Sequence, residues 1–145
     1  MKKSRLTKIL VEGRPEFLEK WADLIEKTAA VRIDRAPSTG LVMLKTRDSV
    51  SKQPFYMGEV LVTECSVAID HHVGIGIVMG EEPNRSYQIA VVDAAINAGL
   101  PITQELLAEL DMEEAYIQQR MREEAARIAK TRVEFDTMED YNAKS

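Results

Sequence analysis

Apolar and polar positions alternate along this chain in three different rhythms. Phe17, Leu18, Trp21, Leu24 and Ile25 recur at helical spacing, with Glu19, Lys20, Asp23, Glu26 and Lys27 on the opposite side, which predicts an amphipathic helix. Pro15 suits its first turn, where a missing N–H costs nothing. Before it, Leu6, Ile9 and Leu10 form a shorter apolar face that stops at Gly13, a residue suited to the left-handed position closing a helix.

The rhythm then changes to that of strands. Pro37-Ser38-Thr39-Gly40 is turn chemistry, and Leu41-Val42-Met43-Leu44 continues it as an apolar run. Arg47 to Lys52 is polar and reads as a loop. Phe55 to Asp70 is too long for one flat strand, and Gly58 supplies a bulge or bend near its start. Asp70-His71-His72-Val73-Gly74 reads as a hairpin connection returning through Ile75-Gly76-Ile77-Val78-Met79. The expected product is an antiparallel sheet of three to four strands with helices on one face.

From Pro83 the period is helical again. Ile89, Val92 and Ile96 share a face, while Ala90, Ala94 and Ala95 keep the flank small enough for close approach to the sheet. Asn97-Ala98-Gly99-Leu100-Pro101 ends that helix. Thr103 to Leu110 predicts two further turns. Asp111 with Glu114 has the spacing of a capping box opening a long helix that ends near Arg132. Its seam of Ile117, Met121, Ala125 and Ile128 is narrow, so two readings stay open: a solvated helix clamped along one edge, or a docking helix for another chain. The fold class is therefore α+β. It is expected as a single domain over 1–145, with a helical layer at 1–35, the sheet at 36–80 and a helical layer with a docking tail at 81–145.

Composition narrows the function. The chain has 145 residues, 45% apolar and 30% charged, with a net charge of -5. The first 35 residues hold nine Lys and Arg against six Asp and Glu; residues 101–145 hold six against eleven. An acidic chain lacks the cationic face that nucleic-acid binding requires. No apolar run approaches the roughly 18–20 residues of a membrane span. Ile9-Leu10-Val11 is far shorter than the about 7–15 apolar residues of a secretory leader. Cys65 is the single cysteine, so no internal disulfide forms, and the expected location is cytoplasmic.

No constellation amounts to an active site. Adjacent histidines on a strand point to opposite faces, so His71 and His72 are poorly placed to chelate one ion, and no metal site is expected. Cys65 lies among β-favouring residues as an apolar filler. Gly74, Gly76 and Gly80 have the look of a phosphate loop, but the first two fall inside an apolar strand. They fit strand bending or close backbone contact better than a nucleotide cradle. Glu59, Leu61 and Thr63 should share one strand face, leaving a carboxylate at a surface edge, in a buried pair with Arg35 or Arg47, or in polar contact with a partner.

Several phrases taken together carry a family resemblance. They are Ser38-Thr39-Gly40-Leu41-Val42, Phe55-Tyr56-Met57-Gly58-Glu59-Val60-Leu61-Val62-Thr63-Glu64, the segment Gly74 to Gly80, Asp93-Ala94-Ala95 and Arg132-Val133-Glu134-Phe135-Asp136-Thr137-Met138. In this order the chain resembles the PhnG family, small subunits of the bacterial carbon–phosphorus lyase system. The resemblance implies assembly with PhnI, PhnH and PhnJ. With PhnI, PhnH and PhnL it implies support for the step in which a phosphonate displaces adenine from C1 of ATP ribose. That step gives α-D-ribose 1-methylphosphonate 5-triphosphate. It implies no catalytic residue and no cofactor in this chain, ATP being the complex's co-substrate. If the chain reaches the reacting sugar, Glu59 supported by Thr63 is the candidate, since carboxylates stabilise an oxocarbenium-like centre. Partner contact is expected through Ile117, Met121, Ile128, Phe135, Thr137 and Met138. The competing expectation is a self-sufficient, homo-oligomeric small-molecule binding or regulatory domain.

Overall fold

The computed structural model describes residues 2–143, with side chains described as far as Thr131. Helices α1 (Lys3–Glu12) and α2 (Pro15–Thr28) precede strands β1 (Val31–Arg47), β2 (Pro54–Ile69) and β3 (His72–Met79), followed by α3 (Pro83–Ala98) and α4 (Thr103–Ala143). The three strands form one antiparallel sheet in the order β1-β2-β3. The α+β class, the polar loop after Arg47, the hairpin at Asp70-His71 and the helix at Pro83 all follow the sequence pattern.

The packing turns on two glycines. On β3, Gly74, Gly76 and Val78 face α3 and are buried, while Val73, Ile75, Ile77 and Met79 face away and are exposed. A Cβ on Gly76 would lie 1.9 Å from the Ser86 carbonyl oxygen, and one on Gly74 would lie 2.2 Å from the Ala90 oxygen and the Ala94 nitrogen. Ser86, Ala90 and Ala94 follow one another at four-residue spacing, so a ridge of small residues on α3 rests on bare strand backbone. Ile89, Val91, Val92 and Ala95 are also buried, because α1 and α2 cover the other side of α3. The core therefore sits between the helices and the inner sheet face, with Leu10, Trp21, Ile25, Cys65, Val67 and Ile69 among its fully buried members.

Four local expectations are corrected. Pro37–Gly40 is not a turn: β1 runs straight through it, with register shifts between Ile33, Arg35 and Ser38. Pro37 is tolerated because it falls within such an irregularity on an edge strand, where no ladder N–H is required. The sheet also begins at Val31, inside the segment read as helical. Gly13 is extended (φ -72°, ψ 178°) rather than left-handed; a side chain there would meet the Ile9 carbonyl at 2.6 Å and Glu113 at 3.2 Å. Asp111 does not cap a helix. It lies within α4, which is continuous from Thr103 through the position where an end near Arg132 was expected. The bulge anticipated near Gly58 is present, as a shift opposite Leu44 and Lys45.

The first part of α4 is fastened to the α1–α2 corner. Leu106, Leu110, Glu113 and Ile117 are buried at helical spacing. Glu113 accepts hydrogen bonds from the Arg14 backbone N–H (2.8 Å) and from its Nη2 (2.7 Å), and the same guanidinium lies 4.6 Å from the Tyr116 ring centre. Arg5 pairs with Asp111 and Glu114, Trp21 Nε1 donates to Glu109 Oε2 (2.9 Å), and Arg120 Nη2 donates to the Glu12 carbonyl (2.8 Å). From Met121 to Thr131 every residue is exposed. The narrow seam thus divides: its first turn belongs to the chain's own core and the rest projects.

Two outcomes follow. Gly76→Ala should destabilise the fold by about 2–4 kcal/mol, because the new methyl meets backbone that cannot swing aside. Gly40→Ala, with nothing within 4 Å of its new methyl, should change the urea midpoint little. The hydrogen bonds from Arg14 hold the Glu113 carboxyl below its ordinary 4.5, against the opposing effect of burial. Its stabilisation is therefore complete above pH 4.5 and lost as acid protonates it below that value. Stability of the wild type measured from pH 7 down to 3 should fall more steeply than that of Glu113→Gln, which should start about 1–3 kcal/mol lower at pH 7.

Candidate functional site

The strand register puts Glu59, Leu61 and Thr63 on one face, opposite Met43, Leu41 and Thr39 of β1. Within that row the two polar candidates have different fates. Thr63 is buried; its hydroxyl donates to the Gly80 carbonyl (2.6 Å) and accepts from the Glu82 N–H (2.9 Å). It ties the turn between β3 and α3. Glu59 is exposed and makes no ion pair among the described residues, so neither Arg35 nor Arg47 closes on it.

The remaining chemistry-bearing residues are in structural settings. Cys65 is fully buried, its thiol 3.3 Å from the Arg35 carbonyl, and burial pushes its pKa up, away from the thiolate a nucleophile needs. Burial, helped by nearby Glu26, pushes the Tyr87 phenol up to about 12. His71 and His72 are both exposed at the hairpin tip. Gly74 and Gly76 lie against helix backbone and leave no room for a phosphate. A cleft between α1 and α4, lined by Lys8, Ile9, Glu12, Ile117 and Met121, holds about 60 Å³. Small-molecule sites typically enclose roughly 300–1,000 Å³, so the cleft is of solvent size.

The proposed contact helix is only partly available. Ile117 is 4% exposed and packs into the core, whereas Met121 and Ile128 are 47% and 64% exposed. Phe135, Thr137 and Met138 lie outside the residues whose side chains are described, and α4 extends to Ala143, so they do not form a separate tail after the helix.

The larger open surface lies on the sheet. Away from α3, β3 presents Val73, Ile75, Ile77 and Met79 as one row beside Val62, Glu64, Ser66 and Ala68 of β2, with Arg32 and Arg35 of β1 paired to Ala68 and Ser66 on the same face. Beyond Gly40 the β1–β2 hairpin extends past the helices, and Leu41–Leu44 and Phe55–Met57 are all exposed, at 47% to 67%. Soluble surfaces rarely display contiguous apolar patches this large without a partner. In the sequence this stretch reads only as an apolar run and is not singled out as a surface. The usable signal was Leu41-Val42-Met43-Leu44 itself, apolar at every position where a strand with one wet face alternates.

The chain resembles known proteins along most of its length. The family model described as "Phosphonate metabolism protein PhnG" matches residues 1–139. The chain is 30% identical over 123 residues to the "Alpha-D-ribose 1-methylphosphonate 5-triphosphate synthase subunit PhnG" of Rhizobium meliloti (strain 1021), covering 80% of this chain and 74% of that protein.

The different settings of the two polar candidates give an expected outcome. Thr63→Val removes both bonds at the β3–α3 turn and should destabilise the fold by about 1–3 kcal/mol. Glu59→Gln should leave the thermal midpoint within about 1 °C, as for a solvated surface position. Thermal melts followed by circular dichroism compare the two.

Proposed function

The chain belongs to the PhnG family of phosphonate-metabolism proteins, and from that premise we propose that it is an accessory subunit of the carbon–phosphorus lyase complex with no activity in isolation. The observation that carries the reading is the exposed apolar surface of the sheet and its projecting hairpin, on a chain whose relative is named a synthase subunit. PhnI, PhnH and PhnJ are its proposed partners in a cytoplasmic assembly, with PhnL joining for the reaction. No helix among the described residues is long and apolar enough to cross a membrane.

The supported reaction would be transfer of a phosphonate to C1 of ATP ribose. A phosphonate oxygen bonds to C1 as the bond from C1 to adenine breaks; adenine leaves with the electron pair and takes up a proton. The product is α-D-ribose 1-methylphosphonate 5-triphosphate when methylphosphonate is the nucleophile. Positive charge grows on the sugar as the bond to adenine lengthens, and a fixed carboxylate nearby lowers that barrier. Glu59 is this chain's proposed contribution. Its charge is unpaired among the described residues and stands opposite Met43 on the projecting hairpin. Thr63 holds the neighbouring turn and has no free proton to offer.

Adenine release by the assembled complex should fall to background when this subunit is left out and return when it is added back. Glu59→Gln should assemble normally and slow release about 10- to 100-fold. An unchanged rate in the assembled variant would remove Glu59 from the mechanism.

A further inference from the structure

The hairpin beyond Gly40 poses a problem that the chain does not solve by itself. Leu41 and Met43 face the helix side of the sheet, Val42 and Leu44 the other side, and both pairs are exposed because no helix reaches this far. A strand that is apolar on both faces has the composition of one covered on both faces. A two-stranded ribbon in water is marginal even with one good face. With about half of each side chain open, Leu41–Leu44 and Phe55–Met57 offer on the order of 700–800 Å² between them, taking roughly 200 Å² per large side chain. That is about what one partner contributes to a standard-sized stable interface.

Charge indicates what the cover must look like. Beyond the Gly40–Val62 pair, residues 41–61 carry Lys45, Arg47 and Lys52 against Asp48 and Glu59, an excess of one positive charge on a protein of net charge -5, with all three cations toward the tip. The Asp48 carboxylate is turned inward at the tip, accepting from the Val50 N–H (3.0 Å) and the Ser51 hydroxyl (3.1 Å). None of the three cations has an ion pair among the described residues. Two copies meeting arm to arm would bring like charges together, whereas an acidic rim would meet them favourably.

We infer that the β1–β2 arm, residues 41–57, inserts into a two-walled apolar cleft with an acidic rim on a different subunit, which closes over both faces of the ribbon. This deepens the subunit reading above and rests on it. It also places the main contact on the arm rather than on the exposed part of α4.

The test uses the full chain co-expressed with PhnI, PhnH and PhnJ, with co-purification and affinity measured for four variants. One pair, Leu41→Asp with Met43→Asp, alters one wall contact; Val42→Asp with Leu44→Asp alters the other. Lys45→Glu with Arg47→Glu reverses the rim charge, and Met121→Asp with Ile128→Asp serves as the α4 comparison. All four change exposed positions, and unchanged circular dichroism and melting of the lone chain verify folding. Each wall pair should weaken association at least about thirtyfold, the size expected of central interface contacts. The charge reversal should weaken it about tenfold at low salt and less at high salt, and the α4 pair should have little effect. Loss from only one wall pair would overturn the two-walled cleft, and retention by both would overturn the arm, while the subunit reading stands in either case. A wild-type lone chain that is dimeric through the arm, becoming monomeric in the wall variants, would replace the partner with a second copy. A wild type that joins none of the three subunits would overturn both readings together.

Discussion

The constraint on which this structure rests is the absence of side chains at two positions of one strand. Gly74 and Gly76 let α3 settle onto β3 with the Ser86 and Ala90 carbonyls closer than any Cβ would permit. That approach makes the inner sheet face a tight, dry layer from small residues, and it fixes α3 as the element on which both the sheet and the N-terminal helices pack. The outer face and the long hairpin remain open, and the exposed residues of α4 from Met121 to Thr131 do not cover them.

The same economy governs α4. Its first turns are tied to the α1–α2 corner by a buried carboxylate, Glu113, held by the Arg14 backbone and guanidinium together. Gly13 is required there for room, since a Cβ would lie 2.6 Å from the Ile9 carbonyl oxygen and 3.2 Å from Glu113. A buried ion pair is weak evidence of net stability; here it fastens α4 to the α1–α2 corner, from which the exposed part of the helix continues.

Much of the fold was legible in the sequence, and for identifiable reasons. The stripe from Phe17 to Ile25 permits only a helix packed on one side, and glycines alternating with Ile75 and Ile77 announce a strand approached closely on one face. What stayed hidden depends on contacts distant in sequence. Asp111 and Glu114 have the spacing of a cap, and the same spacing serves equally well for a surface pair gripping Arg5 from 106 and 109 residues away. Thr63 reads as a polar residue free for chemistry until Gly80 and Glu82 are seen to occupy its hydroxyl. The apolar run at Leu41 is plain in the sequence, but its exposure, at 47% to 64%, depends on how far the helices reach over the sheet, which the run itself does not encode.

At the free margin of β3, α3 supplies one last feature. The Asp93 carboxylate accepts from the Ile75 N–H at 3.0 Å, and the Asn97 amide donates to the Val73 carbonyl at 2.8 Å, so the outward groups at this end of the strand are already engaged. Lateral polymerisation of sheets needs every copy to present two sticky margins, one for each neighbour. A strand adding at this end of β3 would first have to displace Asp93 and Asn97, so these two polar side chains make that stretch of the margin a poor template for such joining.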